Sequence, residues 1–251
     1  MKPLFTHPLR LSGRSLWLAF ELALGAFYYV VRILFRPRSA GLPERARWLQ
    51  HCARRILRIF RLTPRAIGPV PADGLLVCNH LSYLDILVLA SITPAVFVAK
   101  REVKKWPIFG WFASRGGTVF IDRERRSHVG PVTQEIEEVL KRGVLVVLFP
   151  EGTSSGGETV LPFKSSLLEP ATQSIHPLSI GVVGYELDDG KVSDDICYWR
   201  GMTFLPHMIN LLTKRQIRAS VKFRRIERAT NDRKELARQL HADVLKLKEI
   251  S

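Results

Sequence analysis

Residues 144–149 read VLVVLF, an unbroken apolar run closed by Pro150. A strand without polar alternation is covered on both faces, which demands helices above and below a sheet. That requirement restricts the chain to the α/β class. The other periodicities agree. Residues 74–78, 95–100, 118–121 and 174–185 have strand length and β-favouring side chains, and 198–204 and 219–226 are weaker strand candidates. Residues 107–117 read as a helical segment stopped by Gly116-Gly117. Helical spacing recurs at 131–142 through Val132, Ile136, Val139 and Leu140, and at 231–248 through Leu236, Leu240, Val244 and Leu247. The expectation is a mixed central sheet flanked by helices over residues 63–228, with 229–251 packing on it as a C-terminal helix.

Residues 1–62 differ in character. Positions 16–35, LWLAFELALGAFYYVVRILF, are the most apolar part of the chain and carry only Glu21 and Arg32 as charges. The uncharged part falls short of the ~20 residues that cross a bilayer. A cleaved signal peptide is the weakest reading, because no small-residue cleavage site follows cleanly. A spanning helix and a shallow, one-leaflet helix both stay open, and the two charges favour the second. If the helix spans, Arg32, Arg36, Arg38, Arg45 and Arg47 put the rest of the chain in the cytoplasm.

A second helix is expected over 43–61. Leu49, Cys52, Ala53, Ile56 and Phe60 form an apolar stripe crowded by Arg45, Arg47, Arg54, Arg55, Arg58 and Arg61. Such a helix rests on an anionic leaflet, or packs on the domain with a solvated basic face. Lys and Arg outnumber Asp and Glu by 38 to 23, a net charge of +15, which calls for an anionic partner. The basic residues lie beside apolar helices rather than among exposed stacking aromatics. That favours anionic membrane lipids over nucleic acid. The expectation is a pair of membrane-associated helices in 1–62, holding the protein at the cytoplasmic face of the inner (plasma) membrane. Cys52, Cys78 and Cys197 are far apart and odd in number, which fits a reducing compartment and makes neither a disulfide framework nor a zinc site.

The chemistry concentrates in CNHLSYLDILVLA, residues 78–90. A strand end delivers His80 to the sheet rim, and Asp85 follows at the start of an apolar helix. A carboxylate behind an imidazole fixes its tautomer and stabilises the imidazolium, which suits general-base attack by a hydroxyl. An ordinary helix start explains part of the pattern. Ser82 at the N-cap and Asp85 at N3 make a capping box, and Leu81 with Ile86 makes a hydrophobic staple. Neither explains His80.

Other polar groups cluster at strand ends. Lys100 heads a basic group with Arg101, Lys104 and Lys105, and Asp122-Arg123 closes the strand at 118–121. An arginine there suits a phosphate or carboxylate, or pairs with Asp122 or Glu124. Glu151-Gly152-Thr153 sits where the chain leaves the 144–149 strand. The Gly-rich stretch 153–157 offers backbone N–H groups to an anion, but no Gly-Lys-Ser/Thr follows as in a nucleotide-binding loop. Trp106, Phe109, Trp111 and Phe112 are core residues or line an apolar tunnel.

Four blocks thus stand in order: NHLSYLD, GTVFIDR, FPEGT and IHPL. Over residues 65–205 they resemble the glycerolipid acyltransferase family, the 1-acylglycerol-3-phosphate acyltransferases and their relatives. The resemblance implies an α/β fold with a membrane-seated N-terminal helical pair. It implies His80 and Asp85 as the catalytic dyad, with an acyl thioester on coenzyme A or acyl carrier protein as donor and neither cofactor nor metal. It puts Arg123 near the acceptor head group, gives Glu151 and Gly152 an acceptor-binding role with Thr153 in the same block, and associates Lys100 with phosphate; Lys164 is a further cation for it. Lysophosphatidate enzymes usually carry arginine directly after FPEGT, where this chain has Ser154. A loop without that arginine resembles the lyso-ornithine lipid acyltransferases. The expected activity is acyl transfer to the hydroxyl of a lysolipid. The first acceptor is 1-acyl-glycerol-3-phosphate, giving phosphatidic acid, and the alternative is a lyso-ornithine lipid. Two rivals are a thioesterase using Cys78 with His80, and a non-enzymatic membrane-binding protein.

Overall fold

The computed structural model describes residues 7–34, 41–121, 129–173, 175–227 and 230–250. Arg36, Arg38 and Arg123 lie outside them. In chain order the elements are α1 (Pro8–Arg32), α2 (Leu42–Ile59), β1 (Pro64–Ile67), β2 (Leu75–Cys78), α3 (Leu84–Ile92), β3 (Ala95–Lys100), α4 (Phe109–Arg115), β4 (Val119–Ile121), α5 (Val129–Leu140), β5 (Leu145–Leu148), α6 (Glu169–Gln173), β6 (Leu178–Leu187), α7 (Val192–Asp195), α8 (Phe204–Thr213), β7 (Ile217–Ile226) and α9 (Arg233–Glu249).

The strands form one sheet in the order β1-β7-β6-β2-β5-β3-β4. Only the β6–β7 pair is antiparallel, so the sheet is mixed, as expected. β5 is buried throughout. Its alternate residues serve opposite faces: Leu145 and Val147 join the core beneath α2, α3 and α8, while Val146 and Leu148 join the one beneath α5 and α9. This two-sided burial is why the run carries no polar alternation.

Two strand expectations change. Residues 198–204 form no strand; they turn into α8, whose Met208, Leu211 and Leu212 are buried. Pro206 sits in the first turn of α8, where a missing N–H costs nothing. β1 was unforeseen, a mostly exposed edge strand pairing in parallel with β7. Its proline occupies the first position, where an edge strand tolerates one.

The α2 stripe is buried in the same core as Leu76, Phe97 and Val147. Of the two placements open to this helix, the structure has the second: it packs on the domain, and Arg47, Arg54 and Arg58 face solvent. α1 covers α2 and α8 from outside. Its buried positions are Arg14, Glu21, Gly25 and Tyr29. The two charged groups are paired inward. Glu21 accepts from Arg55 Nε at 2.5 Å and Nη2 at 3.0 Å, and from Trp17 Nε1 at 2.9 Å. Arg14 donates to the carbonyls of Leu212, Lys214 and Arg215 at the end of α8. Gly25 allows the closest approach: Trp48 Nε1 donates to its carbonyl at 2.9 Å, and a Cβ there would lie 3.0 Å from Cys52 Sγ. The outer face of α1 is apolar and exposed, with Leu9, Leu16, Phe20, Phe27 and Val31 in solvent. By length and composition this helix suffices to cross a membrane.

Candidate active site

β2, β3, β4 and β5 run parallel, so their C-terminal ends share one rim. β2 and β3 are consecutive in sequence yet lie on either side of β5. Crevices beside such crossovers, at the carboxyl ends of strands, are where open α/β sheets bind ligands. His80 leaves β2 at this rim, Lys100 closes β3, and Glu151 follows β5.

His80 Nδ1 lies 2.8 Å from Asp85 Oδ2. The carboxylate is an acceptor, so Nδ1 carries the proton and Nε2 presents a lone pair. The Asp85 side chain is fully buried, whereas that of His80 is 21% exposed, which leaves the imidazole an open edge. Asp85 Oδ2 also accepts from the backbone N–H groups of Leu81 at 2.7 Å and Ser82 at 3.0 Å, and Oδ1 accepts from the Tyr185 hydroxyl at 2.7 Å. These donors support a buried negative charge. The expected capping box is therefore half made. The carboxylate reaches back to Ser82 N, but α3 begins at Leu84 and the Ser82 hydroxyl, fully buried, makes no cap. The reason is the tight turn: Asp85 N donates to the Ser82 carbonyl at 3.1 Å, so it is not available to the Ser82 hydroxyl.

The loop after β5 grips His80 from the other side. Glu151 is buried; its Oε1 accepts from His80 N at 2.7 Å and its Oε2 from Leu161 N at 2.9 Å. Burial pushes the Glu151 carboxyl up to about 7, against those two amides. Ser155 N donates to the His80 carbonyl at 2.9 Å. The His80 ring stacks on Phe149 with centroids 4.3 Å apart. Gly152 has φ +75°, a conformation that favours glycine, and a Cβ there would come within 2.9 Å of Lys164 Cδ and push that side chain aside. Lys164 thus runs along this loop, and its N–H donates to the Pro150 carbonyl at 2.8 Å. The Glu151 carboxylate, expected at the acceptor, holds the backbone of His80 here. Thr153 is exposed on the same loop.

The family profile described as Acyltransferase matches residues 66–185. A lyso-ornithine lipid O-acyltransferase of Brucella abortus (strain 2308) is 34% identical over 238 residues, covering 88% of this chain and 87% of that protein. The chain belongs to the glycerolipid acyltransferase family. A second lyso-ornithine lipid O-acyltransferase, from Rhizobium meliloti (strain 1021), is 35% identical over 70% of this chain and 66% of that one. A 1-acyl-sn-glycerol-3-phosphate acyltransferase of Neisseria meningitidis serogroup B is 34% identical over 64% of this chain and 69% of its own length. The crystal structure of the 1-acyl-sn-glycerophosphate acyltransferase PlsC from Thermotoga maritima shares the fold, with a TM-score of 0.67 at 20% identity over 97% of this chain and 98% of that one.

In this acyltransferase the Ser154 hydroxyl donates to the Tyr198 carbonyl, and Tyr198 N donates to the Leu81 carbonyl at 2.8 Å. The position after FPEGT therefore ties the loop to the segment before α8. The Cys78 sulfur is fully buried against Gly181, and burial pushes the thiol far above its ordinary range. A neutral, enclosed thiol is no nucleophile, which removes the ground for a Cys78 thioesterase. Lys100 and Lys164 stand on the rim and its loop, while Arg123 falls outside the described residues. Three participants escaped sequence reasoning. Tyr185 touches the dyad directly. Half-buried Tyr83 and buried His207 form a pair behind it: His207 Nε2 donates to the Cys197 carbonyl at 3.2 Å, so Nδ1 accepts from the Tyr83 hydroxyl at 2.9 Å. Burial lowers the His207 pKa and keeps this imidazole neutral.

Proposed function

We propose that this acyltransferase moves an acyl chain from a thioester donor to the hydroxyl of a lysolipid, seated on the cytoplasmic face of a membrane. The observation that carries the reading is the His80–Asp85 contact, which fixes the tautomer and leaves Nε2 as the basic nitrogen of a partly exposed ring. Nε2 takes the hydroxyl proton, and the oxygen attacks the thioester carbonyl. The tetrahedral intermediate then collapses with cleavage of the C–S bond, and the imidazolium returns the proton to the departing thiolate. No acyl-enzyme forms, and the scheme calls for no resident metal or cofactor. The donor is an acyl group on coenzyme A or acyl carrier protein. An apolar groove of about 610 Å³ between α1, α4 and α8, lined by Leu22, Phe109, Trp111, Phe204 and Met208, suits an acyl chain. Phe204 packs edge-on against Phe109 and tilted against Tyr83, three residues from His80, and so continues the apolar surface toward the dyad.

Two acceptors fit the rim. Lys100 and Lys164 support 1-acyl-glycerol-3-phosphate. One specific observation favours a zwitterionic head group of the lyso-ornithine class: Ser154 stands where a guanidinium would grip phosphate, and its hydroxyl is engaged with Tyr198. We take the lyso-ornithine lipid as the native acceptor. Ser154→Arg is then expected to raise kcat/KM on lysophosphatidate by roughly tenfold or more, the effect of one charge-assisted bidentate contact. It should lower kcat/KM on lyso-ornithine lipid, because the loop loses its tie to Tyr198. Both proteins are assayed on both lipids in one detergent and salt. A wild type already faster on lysophosphatidate, with nothing gained from arginine, returns the acceptor to the phosphatidate class.

The membrane seat rests on the outer face of α1, where Phe20 is 60% and Phe27 66% exposed. Burying the exposed part of each in a leaflet contributes about 1–2 kcal/mol. Phe20→Asp combined with Phe27→Asp should weaken vesicle binding by about a hundredfold or more in co-sedimentation, with unfolding unchanged. Undiminished sedimentation would move the membrane contact to another face.

A further inference from the structure

We propose that Tyr185 is a positioning residue for acyl transfer: its hydroxyl locks Asp85 in the orientation that serves His80 and moderates the carboxylate's pull on the imidazole proton. The inference rests on the reading of His80 as general base.

β6 is the scaffold. It pairs with β2 in parallel up to Cys78↔Gly181. Beyond that point the Asn79 side chain replaces the ladder, accepting from Val183 N at 2.7 Å and donating to the Val183 carbonyl at 3.0 Å. This clamp fixes the residue before His80 to the residue two before Tyr185. Side chains two apart on a strand share a face, so the clamp also sets where Tyr185 points. Its hydroxyl then meets Asp85 Oδ1 at 2.7 Å.

The two oxygens of Asp85 are served very differently. Oδ2 accepts from His80 Nδ1, Leu81 N and Ser82 N. Among the described residues Oδ1 is served by Tyr185 alone. Without that hydroxyl, Oδ1 becomes a buried acceptor with no donor, while Oδ2 stays held by Leu81 N and Ser82 N beside His80. The phenol also draws negative charge toward Oδ1. Its removal concentrates charge on Oδ2 and strengthens the hold on a protonated His80. Tyr185 stays a donor at working pH, since burial and the neighbouring Asp85 push its ionisation well above the ordinary value. Of the other titratable groups near the dyad, Cys78 and Cys197 have thiols raised by burial and stay neutral. Glu151, at about 7, is shared by any pair of proteins compared.

The test is Tyr185→Phe, which keeps the ring, assayed as a pH–rate profile of acyl transfer beside wild type and His80→Ala. The expected kcat falls about tenfold to a hundredfold, with KM for the lysolipid unchanged. The acidic limb moves to higher pH by roughly half a unit or more, because the imidazolium persists longer. Incorporating 3-fluorotyrosine at position 185 makes the phenol a stronger donor and should move the limb to lower pH. It also covers the case in which the phenylalanine variant fails to fold. An unmoved limb in both proteins overturns the proposal even if kcat drops, since a merely structural tyrosine scales the profile without displacing it. If wild type shows no transfer, or if transfer survives in His80→Ala, the general-base reading itself fails.

Discussion

His80→Ala is expected to abolish acyl transfer, with kcat falling about a thousandfold or more while the fold and vesicle binding persist. The lysolipid hydroxyl is not acidic enough to attack a thioester unaided, and Nε2 of His80 is the base aimed from the rim. The side chain is partly exposed, and among the described residues its ion pair is with Asp85. Truncation therefore leaves the backbone bonds to Glu151 and Ser155 in place, and the surrounding turn should hold. The removed ring uncovers one face of Phe149, a modest packing loss. Circular dichroism and thermal unfolding accompany the rate measurement. Turnover within tenfold of wild type by a folded His80→Ala protein would remove the dyad from the mechanism.

Asp85→Asn is expected to cost about a thousand- to ten-thousandfold in kcat, by analogy with the buried aspartate of a hydrolase triad. The reason lies in the donors around the carboxylate. An amide has one acceptor oxygen where Asp85 supplies two, and Leu81 N, Ser82 N, His80 Nδ1 and Tyr185 Oη all require acceptors. If the amide nitrogen faces His80, the imidazole is forced into the other tautomer. If it faces Tyr185, the tautomer survives but the charge that stabilises the imidazolium is gone. Either way a buried hydrogen-bond mismatch costs about 1–3 kcal/mol. That corresponds to a fall in Tm of several degrees, at about 2–4 °C per kcal/mol for a domain of this size. A folded Asp85→Asn protein with kcat reduced less than tenfold would show that the carboxylate is a helix-start residue only.

The features legible in the sequence were those carried by short spans. Residues 144–149 announce a two-faced strand because every side chain in them is buried. His80 and Asp85 announce a dyad because Asp85 follows five positions after His80, across one turn. The tie between charge and α1 was half legible: Glu21 and Arg14 look like interruptions of an apolar helix until Arg55 and the end of α8 are placed beside them. Contacts that depend on register across the sheet were invisible. Tyr185 stands 100 residues from Asp85, and Glu151 stands 71 from His80. Nothing in their local context points one at the other until β6 and β5 are laid on either side of β2. Ser82 misled for the opposite reason. Its spacing to Asp85 is that of a good local cap, but the turn gives the Asp85 N–H to the Ser82 carbonyl and leaves the hydroxyl out. Segment 198–204 misled because its aromatic residues favour a strand, whereas Tyr198 and Phe204 pack against Tyr83 and the helix begins at Phe204.

The central claim is direct transfer to a lysolipid hydroxyl with His80 as the base. Thiol release and acylated lipid, followed together in wild type and His80→Ala with and without lyso-ornithine lipid, test it most directly. Wild type is expected to release thiol only when lysolipid is present, one thiol for each acylated lipid formed, and His80→Ala to form neither. Thiol released at an undiminished rate without lysolipid, or acylated lipid still formed by folded His80→Ala, would contradict it.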